Sequence, residues 1–68
     1  MDINQTFTYH APFGTQPHRY EQIRDEARSF AHTIAGLTPQ SAEQTLALRH
    51  LQQAVMFANA AIAINEAQ

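Results

Sequence analysis

The most apolar stretch of the chain lies near its carboxyl end, at residues 54–64. Ten of these eleven residues are apolar, and Asn59 is the exception. Folded as a helix, the stretch is apolar on nearly every side, so it must be surrounded by other protein. It is too short to span a bilayer, which needs about 20 apolar residues. A chain of 68 residues cannot enclose it alone. The pattern therefore predicts a homo-oligomer and no membrane association.

Upstream of this stretch, large residues recur at alternating intervals of three and four, which is typical of a helix with one apolar stripe. The predicted helix 1 covers residues 17–36, with Pro17 at its first position and Gly36 as its stop. Its opposite face is charged. The stripe consists of Tyr20, Ile23, Ala27, Phe30, Ile34 and Leu37.

A second helix is predicted over residues 39–65. It starts either at Thr38-Pro39 or at Ser41, where Ser41 and Gln44 match a capping box with Gln44 reaching back. The short connection makes the two helices antiparallel neighbours. One apolar face fits helix 1, and a second face calls for further partners. The first face is Leu48, Leu51, Val55, Ala58 and Ile62; the second is Leu46, Phe57, Ala60, Ala61 and Ile64.

Residues 1–16 are predicted to form an arm. Within it, apolar and polar side chains alternate over residues 7–11, which indicates an extended segment. Pro12 keeps Ala11 out of helical geometry, and Gly14 marks a turn. The predicted fold is a single all-α domain over residues 1–68. It consists of the extended arm and an antiparallel two-helix hairpin, assembled into a homo-oligomeric helical bundle.

The amino-acid composition excludes several classes of function. The chain has no cysteine, which excludes disulfides and thiolate metal sites. Its net charge of −2 makes it a poor binder of duplex DNA, where affinity rests on many phosphate contacts. Three of its four arginines fall within residues 19–28, and such a cluster can still grip one small anion. The first five residues are acidic and polar rather than a signal sequence, so a cytosolic protein is expected.

Neither a metal site nor an enzyme active site is indicated. The four histidines lie on three different predicted elements, and none forms an i, i+4 pair with another. Ser29 and Ser41 lack a nucleophile elbow, and no pair of carboxylates stands out from the charged face of helix 1. We therefore expect a protein without catalysis, metal or cofactor.

The best candidate binding residues combine flat side chains with arginines. Tyr9, His10 and Pro12 offer surfaces on which a purine base can stack, worth about 1–3 kcal/mol per base. Arg24 and Arg28 can take phosphates. Alternatively, Tyr9 anchors the arm and the arginines pair with neighbouring carboxylates along the helix.

Asn59 is a further candidate. An amide within an apolar helix must find hydrogen-bond partners or cost about 1–3 kcal/mol. It either fixes the register between subunits, as in coiled coils, or lines a ligand pocket where subunits meet. The register role is favoured.

Three blocks of sequence resemble the small phage-encoded anti-CBASS sponge proteins, which sequester the cyclic oligonucleotide signals of bacterial antiviral systems. The blocks are Tyr9-His10-Ala11-Pro12, Leu46-Ala47-Leu48 and residues 57–63, Phe-Ala-Asn-Ala-Ala-Ile-Ala. Their order and separation are more specific than any one block, and they extend over nearly the whole chain.

The resemblance implies a homohexamer of helical hairpins in the host bacterial cytoplasm. It implies that cyclic dinucleotides such as cyclic GMP-AMP are held uncleaved between paired subunits, with Tyr9 stacking on a base and Arg24 meeting the phosphates. Some members also bind cyclic trinucleotides near the three-fold axes. The arginine that would serve that second site is replaced here by Ile64, and the basic residue of helix 1 is often lysine in relatives.

The sequence thus predicts a sponge that blocks activation of CBASS effectors. The alternatives are a small helical protein that occludes a host protein without any nucleotide ligand, and a subunit of a larger phage particle.

Overall fold

The computed structural model describes residues 11–66. These residues form two α-helices, α1 (Gln16–Leu37) and α2 (Ala42–Asn65), and no β-strand occurs among them. The helices pack against each other as a hairpin, so the predicted all-α helical hairpin is confirmed. Residues 1–10 of the predicted arm lie outside the described residues, and residues 11–13 have no regular secondary structure.

A glycine turn leads into α1. Gly14 has a φ of 58°, in the left-handed region that glycine adopts at little cost. Two hydrogen bonds close the turn: the Phe13 N–H donates to Gln16 Oε1 at 3.2 Å, and the Gln16 N–H donates to the Phe13 carbonyl at 3.0 Å. Because Gln16 is held in this way, α1 begins there, one residue before the predicted start at residue 17.

The end of α1 differs from the prediction. Gly36 does not stop the helix, which continues to Leu37. Pro39 supplies the stop, because a proline disfavours helical geometry in the residue before it. Thr38 is accordingly extended, with φ −126° and ψ 151°. Its N–H and its hydroxyl donate to the Ile34 carbonyl at 3.1 and 2.7 Å, which satisfies one of the carbonyls left free at a helix end.

Helix α2 begins at Ala42, so the predicted start at residue 39 is wrong and the alternative start at Ser41 is confirmed. Ser41 Oγ accepts a hydrogen bond from the Gln44 N–H at 3.1 Å, as an N-cap does. The Gln44 side chain does not reach back to Ser41. Its Nε2 instead donates to the carbonyl and the hydroxyl oxygen of Thr38, at 3.1 and 3.0 Å. The hydrogen bonds of Gln44 therefore link the start of α2 to the residue that follows α1.

The predicted inner face of α2 packs towards α1. Its five residues are all buried or half-buried, and Ile62 is the most enclosed of them at 8% exposure. The predicted stripe of α1 is only partly correct, since Phe30 is 55% exposed and Leu37 is 80% exposed. Ala31, which is half-buried, lies on the contact side of α1 next to Ala27 and Ile34.

Large apolar side chains also remain exposed on the far side of α2. Leu46 is 51% exposed, Phe57 75% and Ile64 74%. These residues belong to the predicted second face, and the hairpin of one chain does not cover them. Even so, neither α1 nor α2 is long and apolar enough to cross a membrane.

An ion pair closes the open end of the hairpin. Arg19 Nη1 donates to Glu66 Oε2 at 2.8 Å, and Arg19 Nη2 donates to Glu66 Oε1. This hydrogen-bonded contact raises the pKa of the Arg19 guanidinium and lowers the pKa of the Glu66 carboxyl below its ordinary value of 4.5. The two charges join the first turn of α1 to the residue that follows α2.

Replacing Glu66 by glutamine is expected to lower the Tm at neutral pH. Because the pKa of Glu66 is depressed in the folded state, its ion pair contributes fully above the ordinary carboxyl range and is lost as the pH falls through the folded-state pKa. The difference in Tm between the wild type and Glu66→Gln should therefore shrink to nothing in acid. Thermal unfolding at one fixed protein concentration measures this, with Glu21→Gln as the control. A difference that stayed constant with pH would contradict the assignment.

Candidate ligand-binding site

Arg24 and Arg28 lie one turn apart on α1, both exposed to solvent. Residues four apart on a helix share a face, so their guanidinium groups project from the same side of the hairpin. Each guanidinium carries five N–H donors in a planar fork that matches a phosphate. The pair therefore forms a small cationic surface on a chain with no lysine.

The two arginines differ in how they are paired. Arg28 Nη1 lies 4.0 Å from Asp25 Oδ1, and both side chains are more than half exposed. A contact of this kind contributes little. Arg24 makes no ion pair or side-chain hydrogen bond with any residue in the described range. The alternative prediction was that both arginines form ion pairs with carboxylates along the helix. Among the described residues only Arg28 does so, in a long contact with Asp25.

The arm residues are not brought to the arginines by the described part of the chain. Pro12 is exposed and precedes the Gly14 turn, whereas Arg24 lies eight residues into α1, about 12 Å along the helix axis from its first residue. Tyr9 and His10 lie outside the described residues.

Asn59 is half-buried on α2, at the edge of the face that meets α1. Its Oδ1 is covered, yet it accepts no hydrogen bond from any residue between 11 and 66. A buried acceptor left unpaired costs about 1–3 kcal/mol. Both predicted roles of Asn59, register amide and pocket lining, would supply the missing donor from a second copy or from a ligand.

A shallow depression of 280 Å³ runs along α1, lined by His18, Glu21, Gln22, Asp25 and Glu26. Its three carboxylates would repel the phosphates of a nucleotide. Within residues 11–66, no group of three or more potential ligand side chains is arranged to hold a metal ion.

The Arg19–Glu66 ion pair was not predicted from the sequence, which counted Arg19 in the cluster of three arginines and assigned no role to Glu66. A signal was present, since an antiparallel hairpin brings the start of its first helix beside the end of its second, and opposite charges stand at those two places. Arg19 is thereby removed from the set of arginines available to a ligand.

The fold is a small helical hairpin with two exposed arginines on one side of α1, and comparison with known proteins gives its family. A family model described as the Acb2/Tad1 hairpin domain matches residues 1–63. The chain therefore belongs to the Acb2/Tad1 hairpin-domain family, whose members are phage anti-CBASS domains that bind cyclic oligonucleotides. This confirms the resemblance to anti-CBASS sponge proteins. No curated protein and no solved structure gave a significant match.

Proposed function

We propose that this protein is a sponge for cyclic dinucleotides such as cyclic GMP-AMP. It binds the signal in the host cytoplasm and holds it uncleaved, so that the effector of the antiviral system is not activated. The family match over residues 1–63 carries this proposal, because that family is one of binding domains. Sequestration needs sites and affinity but no turnover.

Arg24 is the proposed phosphate ligand. It is exposed and makes no ion pair or side-chain hydrogen bond with residues 11–66, so it pays no penalty for releasing a carboxylate when a phosphate arrives. Arg28, one turn further on, adds a second positive charge and is only loosely held by Asp25 at 4.0 Å. Hydrogen bonds to charged groups contribute about 1.5–3 kcal/mol each, so two arginines can supply a large share of micromolar binding, which is about 8 kcal/mol.

Tyr9, His10 and Pro12 are proposed to hold the bases, with Asn59 at the edge of the same pocket. The bases and the phosphates of one ligand must be bound together, and Arg24 lies about 12 Å along α1 from Gln16, the first residue of the helix. We infer that the arm of one copy and the arginines of another form each site. Assembly would then create the pocket.

The exposed apolar side chains of α2 support assembly. Leu46, Phe57 and Ile64 are 51%, 75% and 74% exposed, and the hairpin of one chain does not cover them. A closed homo-oligomer in which each chain meets more than one neighbour, such as a hexamer, would bury them.

Calorimetric titration with a panel of cyclic di- and trinucleotides tests the proposal. We expect saturable binding of at least one cyclic dinucleotide at micromolar concentration or tighter, and little or none of the linear dinucleotide of the same bases. Cyclic trinucleotides are expected to bind more weakly, because Ile64 stands where relatives often carry arginine. If no cyclic nucleotide produced heat or raised the Tm, the protein would instead be one that occludes a host protein.

A further inference from the structure

Gln16, the first residue of α1, is the most enclosed side chain of the described residues, at 3% exposure. It stands four residues before Tyr20, on the face of α1 that also carries Ile23 and Ala27. These three residues are half-buried against α2. A glutamine buried there loses its hydration and its side-chain freedom. An apolar side chain of the same length would pack as well, so packing alone does not account for the glutamine.

Both the side chain and the main chain of Gln16 hold Phe13. Gln16 Oε1 accepts a hydrogen bond from the Phe13 N–H at 3.2 Å, and the Gln16 N–H donates to the Phe13 carbonyl at 3.0 Å. Gly14 lies between them with a φ of 58°, a conformation that suits a tight turn. The Phe13 side chain is itself 36% exposed, so these hydrogen bonds do not bury it. They fix the backbone of Phe13 relative to α1.

The amide of Gln16 is not a typical helix cap. The N-cap residue is Thr15, whose side chain makes no capping hydrogen bond. Gln16 Nε2 is covered, and it donates no hydrogen bond to any residue between 11 and 66. A buried donor left unpaired is destabilising. The amide therefore carries a penalty that an apolar side chain would avoid, at the position where its oxygen holds Phe13.

The fixed backbone of Phe13 determines the direction in which the arm leaves the hairpin. Pro12 is bonded directly to Phe13, and its ring locks its φ at about −65°. Pro12 also keeps Ala11 out of helical geometry. Few backbone torsions are therefore free between Gln16 and His10, the next residue along the arm.

We propose that Gln16 is a positioning residue for nucleotide binding: by holding the main chain of Phe13, it directs the arm that carries Tyr9 towards the ligand. The inference rests on the proposed function, in which Tyr9 stacks on a base. Gln16 is buried and acts on the ligand only through the arm. Without its acceptor oxygen the arm would sample more directions, so the nucleotide would have to order it on binding, and the affinity would fall.

Gln16→Met removes the acceptor oxygen and keeps an unbranched side chain of similar length. Its affinity for cyclic GMP-AMP, measured by calorimetry, should fall by between about 5- and 150-fold, the range for loss of one base stack. Its Tm, at the same protein concentration, should be no lower than that of the wild type, because methionine leaves no unpaired donor. Gln22→Met, the same substitution at an exposed residue of α1, is the matched control and should bind as the wild type does.

Double variants separate positioning from a general loss of structure. If Gln16 acts through Tyr9, Gln16→Met should cost little affinity in a Tyr9→Ala background, because the stack is already absent. In an Arg28→Ala background it should cost its full factor, since the effects of independent sites multiply in affinity. Equal costs in the two backgrounds would overturn the proposal.

Amide hydrogen exchange of Phe13, measured by NMR without nucleotide, tests the hydrogen bond itself. The Phe13 N–H should be protected in the wild type and in Gln22→Met, and should exchange faster in Gln16→Met. Unchanged exchange, or a Gln16→Met variant that binds cyclic GMP-AMP as the wild type does, would overturn the positioning role and leave the sponge standing. A wild type that bound no cyclic nucleotide would contradict the sponge, and the positioning role with it.

Discussion

Replacing Arg24 by alanine is expected to weaken cyclic dinucleotide binding strongly while leaving the assembly intact. The side chain is exposed and makes no ion pair or side-chain hydrogen bond with residues 11–66, so its removal breaks no contact that those residues make with it. Loss of charged hydrogen bonds worth about 1.5–3 kcal/mol weakens binding by roughly 10- to 150-fold. Calorimetry measures the affinity, and sedimentation velocity measures the size of the assembly.

Three further variants sharpen the Arg24 experiment. Arg24→Lys should recover part of the affinity, because lysine keeps the charge but not the planar fork. Arg28→Ala should cost less than Arg24→Ala, since Arg28 is already shared with Asp25. Arg49→Ala removes an exposed arginine from α2 and serves as the matched control. If Arg24→Ala bound the nucleotide like the Arg49 control, the phosphate assignment would be wrong.

Replacing Phe57 by glutamate should disperse the assembly and remove nucleotide binding with it. Phe57 is 75% exposed in the single chain, so a polar side chain there leaves the hairpin itself unaffected. In an assembly the same position is covered, and a carboxylate buried without a partner costs several kcal/mol. Sedimentation velocity should show single chains at concentrations where the wild type is assembled.

The matched control is Gln40→Glu, which adds the same charge at an exposed residue of the connection between the helices. It should assemble and bind as the wild type does. Circular dichroism separates dispersal from unfolding. A Phe57→Glu variant that bound cyclic dinucleotide as a single chain would show that each site lies within one hairpin, which contradicts the shared-site account.

Features of the fold that depend on neighbouring residues could be predicted from the sequence. Ser41 caps α2 because its hydroxyl needs only the N–H three residues on, and the inner face of α2 follows from its spacing. The stop of α1 was assigned to the wrong residue because two stop signals stand close together. Gly36 permits a helix to end there but does not require it, whereas Pro39 excludes helical geometry at Thr38.

Features that depend on how the two helices meet could not be predicted in the same way. The exposure of Phe30 and Leu37 depends on which side of α1 the second helix covers, and that side includes Ala31. The Arg19–Glu66 pair requires the register of residues 47 positions apart. Arg24 makes no ion pair with the described carboxylates. The sequence could not predict this, because carboxylates stand close enough along the helix to pair with Arg24 and only the side-chain geometry decides whether they do.

The residues of the candidate site were predicted from their side-chain chemistry, and the sequence did not show how they lie relative to one another in space. Pro12, Arg24, Arg28 and Asn59 fall within the described residues, and the hairpin of one chain does not gather them around one pocket. Tyr9 and His10 fall outside that range, and their roles in binding stay predictions. This agrees with a site that two copies share, and no single-chain pattern can reveal such a site.

Native mass spectrometry of the protein mixed with cyclic GMP-AMP tests the central claim most directly, because it weighs the assembly and its ligand together. We predict that the intact, uncleaved nucleotide is found only on species that contain two or more chains. We also predict that Arg24→Ala gives the same species without nucleotide. A nucleotide bound to single chains, or the mass of its hydrolysed product, would contradict the account.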